Sequence, residues 1–322
     1  MIITKRAILI TAGIVLSAAL LFLVPSLYDA AQRALHGVKP GVTLEGQLVE
    51  GLLEEELYDV VASLAETFYV EASNASWDWK RGEVTPEVVG QVVDVQSTVK
   101  ALLQAPARTA VRLVTVEVLP SITKAHFQPY YRGPNSEPRV SLMFNVDWGD
   151  EYIPGLLEVL DQADVTVTWF LTGRWAKRAP ELAKAISDAG HEIGNHGGWH
   201  GLPSAMSREE TVRLIQEGED LILEATGQRP QVFAPPAGDY TQETVAVAAE
   251  LGYKTVLWTI DTVDWQRPAP TKIIDRVLSG LVNGALILMH PTGPTLEALP
   301  VVLDHLAARG FQCVTVSELL AD

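Results

Sequence analysis

Two histidines, His196 and His200, stand four positions apart in the stretch GNHGGWH, with two glycines between them. On a helix this spacing would set both rings on one face. The glycines make a tight loop the better expectation, and a loop can still bring both imidazoles to one point. Two neutral imidazoles and one carboxylate form a ligand set for a catalytic zinc or a similar divalent ion, with positions left for water and substrate. Asp147, just past the apolar run RVSLMFNV, is the candidate carboxylate. No Glu lies between the histidines, so the helical zincin motif does not apply. A second pair is His290, after the apolar run LILM, and Asp264, in DTVDW. A His oriented by an Asp suits general acid catalysis; a structural His–Asp hydrogen bond accounts for the same two residues. Trp148 and Trp265 adjoin these positions. Either they pack the rim or they form a platform for a sugar ring.

These residues need a scaffold that gathers distant segments. From residue 139 onward short apolar runs alternate with helical patterns to the end of the chain: RVSLMFNV, IPGLLEVLDQA, VTVTWFLTG, PELAKAISDAG, HEIGNH and so on to FQCVTVSELL. Ser207 with Glu210 three residues later reads as a capping box opening the long helix SREETVRLIQEGEDLILEATG. Strand–helix alternation means parallel strands with helical crossovers, and this many repeats predicts a β/α barrel, closed or incomplete. Barrel chemistry sits at the C-terminal strand ends. Five predicted strands finish there in polar residues or a Pro-Gly turn: Asn145 to Trp148, Asn195-His196, Pro235-Pro236 with Gly238, Asp261 before Asp264-Trp265, and His290. That convergence carries more weight than any single motif.

The preceding residues divide differently. Residues 38–120 read as a small α+β unit, with GLLEEELYDVVASLAE amphipathic at helical spacing and AVRLVTVEVLP alternating as a strand. The pieces GVTLEGQLVEGLLEEEL, GEVTPEVVGQVVDVQSTVKALL and VRLVTVEVLP resemble the small peptidoglycan-binding domain of bacterial envelope proteins; a spacer without a ligand explains the pattern equally. Residues 121–138 carry three prolines and a glycine without apolar periodicity and read as a linker. At the start, residues 7–24 form an uncharged apolar run behind Lys5 and Arg6. Its length suffices to span a bilayer, and the flanking cations place the body outside the cytoplasm. The expectation is a membrane anchor and stalk over residues 1–37, a single-pass protein with its C-terminal domains extracytoplasmic; a cleaved signal peptide is the alternative. A net charge of −16 speaks against a nucleic-acid partner. The single Cys313 excludes an intrachain disulfide framework and a cysteine-rich zinc module.

Together these motifs resemble the polysaccharide deacetylase family with the NodB homology domain, carbohydrate esterase family 4, over about residues 139–320. NHGGWH matches the histidine motif, FAPPAG the Arg-Pro-Pro-x-Gly stretch, DTVDW the Asp-x-x-Asp-Trp stretch, and LILMHPTGPTLEALP the final histidine motif. The resemblance extends to a membrane-anchored subgroup of spore-forming bacteria with an altered first motif. It implies a distorted, incomplete (β/α) barrel and metal-assisted hydrolysis of non-peptide C–N bonds in N-acetylated cell-wall amino sugars. The implied ion is divalent, zinc first, with cobalt or manganese next. Asp147, His196 and His200 would hold it, and His290 would be the acid supported by Asp264. Trp148, Trp265, Pro235 and Gly238 would line the glycan site.

Two positions depart from the family. Its Phe-Asp-Asp-Gly opening places the base first and the metal ligand second; here the stretch is Phe144-Asn145-Val146-Asp147-Trp148-Gly149. An ungapped alignment makes Val146 the ligand, and a slide of one residue makes it Asp147. Either way Asn145 holds the base position and cannot take a proton. Ala234 stands where the family has the Arg that pairs with that base. Losing both partners of an ion pair together costs far less than losing one. The expectation is a slow or rewired deacetylase, with Asp147, Asp150 or Glu151 as substitute base. The rivals are an inactive glycan- or metal-binding descendant and a structural envelope protein.

Overall fold

The computed structural model describes residues 23–321. The chain divides into two compact units, one of residues up to Ser73 with Val88–Pro120, the other Asn74–Glu87 with Ser121–Asp322. The first packs helices Glu54–Phe68 and Val95–Gln104 around Leu57, Val61, Val99 and Leu102. Asp94 caps the second helix by accepting from the Ser97 N–H at 2.9 Å.

One element of the expected architecture is corrected. Among the described residues no helix is long and apolar enough to cross a membrane, so the structure does not contain the predicted transmembrane helix. All but the last two residues of the apolar run 7–24 lie outside the described residues. Two further stretches sit differently from expectation. The hairpin Ser76–Asp78 with Glu83–Thr85 belongs to the second unit, where the Trp79 indole N–H donates to Glu250 at 3.0 Å and Arg208 stacks over the ring. Residues 121–138 also belong to the second unit.

The second unit is an α/β fold on eight parallel strands: β1 Arg139–Val146, β2 Thr168–Leu171, β3 Glu192–Asn195, β4 Val232–Phe233, β5 Lys254–Thr255, β6 Ile260–Asp261, β7 Leu286–Met289 and β8 Gln312–Cys313. Their order is β5-β4-β3-β2-β1-β7-β6, with β8 pairing the start of β1. The edge strands β5 and β6 are joined by residues 256–259 alone. Five Cα steps reach at most about 18 Å, whereas six strand spacings across a flat sheet cover about 29 Å. The sheet must therefore curl until its edges approach, giving an incomplete barrel. The seam is filled by part of the expected linker. Tyr130 exchanges backbone hydrogen bonds with Thr255 and Leu257 at 2.8 Å each, and the Gly133 N–H donates to the Gly284 carbonyl at 2.8 Å. Segments without periodicity read as loops, yet backbone bonds to strand edges need none.

Alternation along the strands sorts their side chains. Leu142, Phe144 and Val146 of β1 join the core beneath the helices with Trp169, Leu171, Ile287 and Met289. Met143 joins the interior cluster with Phe170, Ala234, Val256 and Leu286. Inward positions of β1 are thus odd-numbered. The helix Arg208–Thr226 begins with the predicted capping box, Ser207 and Glu210 each accepting the other's backbone N–H, and ends at Gly227 with φ 75°.

His191, just before β3, is buried, with Nδ1 accepting the Val167 N–H at 3.3 Å. Burial pushes its pKa down to about 4. In the unfolded chain a histidine titrates near 6.5. Between those values the unfolded chain binds the extra proton, so stability falls as pH drops from about 6.5 toward 4. This one group is expected to cost about 2 kcal/mol by pH ~5, read from urea unfolding at pH ~7 and ~5. His191→Gln should flatten that share of the slope; an unchanged slope in the variant would refute the assignment.

Candidate active site

At the C-terminal strand ends a cavity of about 400 Å³ opens, lined by Asn145, Asp147, Trp148, His196, His200, Gly238, Trp265 and His290 among others. The barrel thus brings residues from six strand ends to one place. Strand parity decides between the two alignments of the first motif. Val146 is fully buried beneath the helices, while Asn145 and Asp147, two apart, both line the cavity. Asp147, not Val146, is the side chain that reaches the cavity.

The histidine loop is pinned from three directions. The Asn195 side chain donates to the Ile215 carbonyl at 2.8 Å and accepts the Gly197 N–H at 2.8 Å. Helix Gly173–Arg178 starts beneath the loop, and the N–H groups of Gly173 and Arg174 donate to the Gly197 and Gly198 carbonyls at 2.8 Å. These are free first-turn donors of the helix, so the loop completes it. The third tie holds His196, whose Nδ1 lies 2.7 Å from the Ala234 carbonyl oxygen. A carbonyl only accepts, so Nδ1 carries the hydrogen and Nε2 keeps its lone pair. Burial drives the His196 pKa down to about 3, keeping the ring neutral. His196 and His200 face each other edge-on with ring centroids 5.4 Å apart.

Asp147 is engaged elsewhere. Its Oδ1 accepts from the Thr172 hydroxyl and from Arg174 Nε, each at 2.6 Å, and its Oδ2 accepts from an Arg174 terminal nitrogen. Burial alone would raise its pKa, but the hydrogen bonds from Arg174 and Thr172 outweigh it and hold the carboxyl below its usual value. The fit to a divalent ion is therefore incomplete. Two imidazoles are available, while both oxygens of the expected carboxylate ligand are committed to a guanidinium and a hydroxyl. Among the described residues no group of three or more His, Cys, Asp or Glu side chains is gathered closely enough to hold a metal. The residues as arranged do not fit the three-ligand site that the motifs imply.

The predicted pair His290 and Asp264 is brought together. Asp264 is fully buried; its Oδ1 lies 2.8 Å from His290 Nδ1, and its Oδ2 accepts from the His290 N–H and the Thr295 hydroxyl at 2.7 Å each. Carboxylate contact at Nδ1 leaves Nε2 of the cavity-lining His290 ring as the atom for proton exchange with a ligand. Trp148 lies parallel to that ring, centroids 6.1 Å apart. Its neighbour Gly149, at φ +92°, passes so near Pro291 that an added Cβ would sit 2.2 Å from the Pro291 carbonyl oxygen, and only glycine allows the two loops to meet there.

Several sequence candidates sit off the cavity. Pro235 does not line it. Ala234 is 2 % exposed within the interior cluster. Asp150 turns away to accept from the Trp175 indole at 2.8 Å and from Arg178 at 3.0 Å, and Glu151 is exposed and absent from the lining. Neither is placed as a substitute base. Asp261, expected at the rim as a strand end, lines the cavity, and so do Trp258 and Leu288, which were not predicted for it. The inward parity of β7 would have found Leu288. Trp258, against Gly238, sits in the seam, which no periodicity marks.

Residues 132–256 match the sequence profile of the family described as polysaccharide deacetylase. The chain is 34 % identical over 193 residues to a peptidoglycan-N-acetylglucosamine deacetylase of Bacillus cereus, covering 58 % of this chain and 90 % of that protein. It is 36 % identical over 271 residues to the protein YlxY of Bacillus subtilis, covering 83 % and 84 %. Among solved structures it is similar to a CE4 family pseudoenzyme from Bacillus anthracis, with a TM-score of 0.60, 36 % identity, and 82 % and 94 % of the two chains covered. A similar chain, 35 % identical with the same TM-score, is a mutant of that pseudoenzyme with restored enzymatic activity. With these motifs in one cavity and these relatives, the chain belongs to the polysaccharide deacetylase family.

Proposed function

We propose that the cavity binds an N-acetylated amino sugar of cell-wall glycan and that hydrolysis of the acetamide is lost at its base side. Relatives that are peptidoglycan deacetylases and one that is a pseudoenzyme bracket this reading. The observation that carries it is Asn145. It is 5 % exposed, lines the cavity, and its Oδ1 has no hydrogen-bond partner among the described residues. A buried amide oxygen without a partner is costly, and a sugar hydroxyl or amide N–H entering the cavity would satisfy it. An amide cannot accept the proton that a carboxylate base would take. Trp265, 50 % exposed on the rim, supplies an apolar face for a pyranose ring. A wall-glycan ligand places both units outside the cytoplasm.

The test is a pair of measurements on the full chain with N-acetylglucosamine oligomers. Calorimetry should show binding, weakened at least about tenfold by Trp265→Ala. Acetate release should stay at background with or without added zinc. Turnover in the ordinary range of about 1 s⁻¹ or more would overturn the loss of hydrolysis. Absence of oligomer binding would overturn the glycan site and leave a structural envelope role.

The intact acid side favours a second reading, a slow deacetylase. There His290 would pass a proton from Nε2 to the leaving amine while Asp264 and Thr295 hold the ring. Chelator-sensitive acetate release abolished by His290→Ala would select it.

A further inference from the structure

Arg174 is an unexplained charge just outside the cavity lining, on the cavity-lining Asp147. No motif of the family reading includes it, yet its side chain takes both oxygens of Asp147 in the paired fashion of a guanidinium–carboxylate fork. We propose that Arg174 is a built-in cation which occupies the carboxylate side of the pocket and decides whether that pocket admits a divalent metal. The proposal rests on the reading of this cavity as the family's deacetylase site.

Three observations support it. Asp147 is nearly enclosed, at 11 % side-chain exposure, whereas Arg174 is 52 % exposed. The carboxylate is therefore fixed, and the arginine stem is the part able to swing away. Thr172 donates to the same Oδ1 from the residue that caps the arginine's own helix, so the helix start presents both donors to Asp147 at once. Asp261, the other carboxylate lining the cavity, is not gathered with the histidines: its Oδ1 accepts the Val263 N–H at 2.8 Å. With Arg174 in place, an incoming divalent ion meets two imidazoles and a carboxylate already paired with a cation. Zinc sites built from three protein ligands need that third donor.

Two consequences separate this from a passive surface ion pair. Zinc affinity should be limited by Arg174 through Asp147 and through nothing else. Glycan affinity in the wild type should be indifferent to metal, since the site's cation is already resident.

The experiment titrates zinc chloride into the full-length protein by calorimetry, with Arg174→Gln and the double variant Arg174→Gln/Asp147→Asn in parallel. Because Arg174 is half exposed, its replacement leaves the core untouched. Arg174→Gln should bind zinc at least about tenfold more tightly than wild type, and the double variant should fall back to the wild-type value. Equal affinity in wild type and Arg174→Gln would overturn the proposal, as would retention of the gain in the double variant. Binding of N-acetylglucosamine oligomers, measured in EDTA and in zinc, supplies the second readout. Equal wild-type affinity in both supports a resident cation, and loss of binding in EDTA overturns it. Failure to bind oligomers under either condition would sink the glycan reading instead, leaving the zinc titration to judge Arg174 alone.

Discussion

In an Arg174→Gln background supplied with zinc, Asn145→Asp/Ala234→Arg is expected to raise acetate release from N-acetylglucosamine oligomers by at least about 10²-fold, the lower end of what a general base contributes. Either substitution alone is expected to do far less. Asn145 is almost wholly buried, so a carboxyl introduced there without a cation is desolvated and its pKa rises. It would stay protonated near neutral pH and could not accept a proton. Any activity of Asn145→Asp alone should therefore climb as pH is raised, whereas the double variant should be active near neutrality. Ala234→Arg alone buries an unpaired cation among Met143, Phe170 and Val256 and should lower stability without restoring turnover. The interior is well packed there, so the double variant carries an overpacking cost of about 1–3 kcal/mol, visible as a lower midpoint of urea unfolding. Recovery by Asn145→Asp as complete as by the pair would show that the arginine is dispensable and that the two losses are unrelated.

The parts of this molecule that were legible in the sequence are those written in local periodicity. Alternating apolar runs and helices announce parallel crossovers, and the polar residues at the strand ends converge on one cavity because side chains two apart share a face of the sheet. The same parity places Asp147 beside Asn145 and sends Val146 under the helices, which alignment alone left open. What remained illegible depends on partners far apart in the chain. Arg174 sits on a short helix and looks like one more solvated cation; its partner Asp147 lies 27 residues earlier, on another loop. Residues 130–133 have the composition of a linker, but the unpaired edges of a curled sheet recruit their backbone. The hairpin at 76–85 has ordinary strand chemistry, and contacts far along the chain, such as Trp79 with Glu250 171 positions away, show which unit it joins. The apolar run near the start met the length criterion for a membrane span, and the described part of the chain contains no such helix.

Asp264→Ala is expected to destabilise the protein by about 3 kcal/mol or more. The Asp264 carboxylate is fully buried and meets three donors: the His290 N–H, His290 Nδ1 and the Thr295 hydroxyl. Alanine removes every acceptor at once, and a buried donor left without a partner costs about 1–3 kcal/mol. Thr295→Val removes only one of those bonds and should cost about 1 kcal/mol. Asp264→Asn should fall between them, because an amide offers one oxygen but turns an NH2 toward donors. The ordering Ala, then Asn, then Thr295→Val in urea unfolding distinguishes a network from a single contact. A purely structural role for Asp264 would move stability and leave the ring of His290 as it was. Orientation by the carboxylate predicts more: the tautomer signature of His290 in nitrogen NMR should shift in both Asp264 variants and persist in Thr295→Val. An unshifted His290 spectrum in Asp264→Ala would mean that the backbone alone holds the ring, and the acid side would then be packing without a proton-handling role.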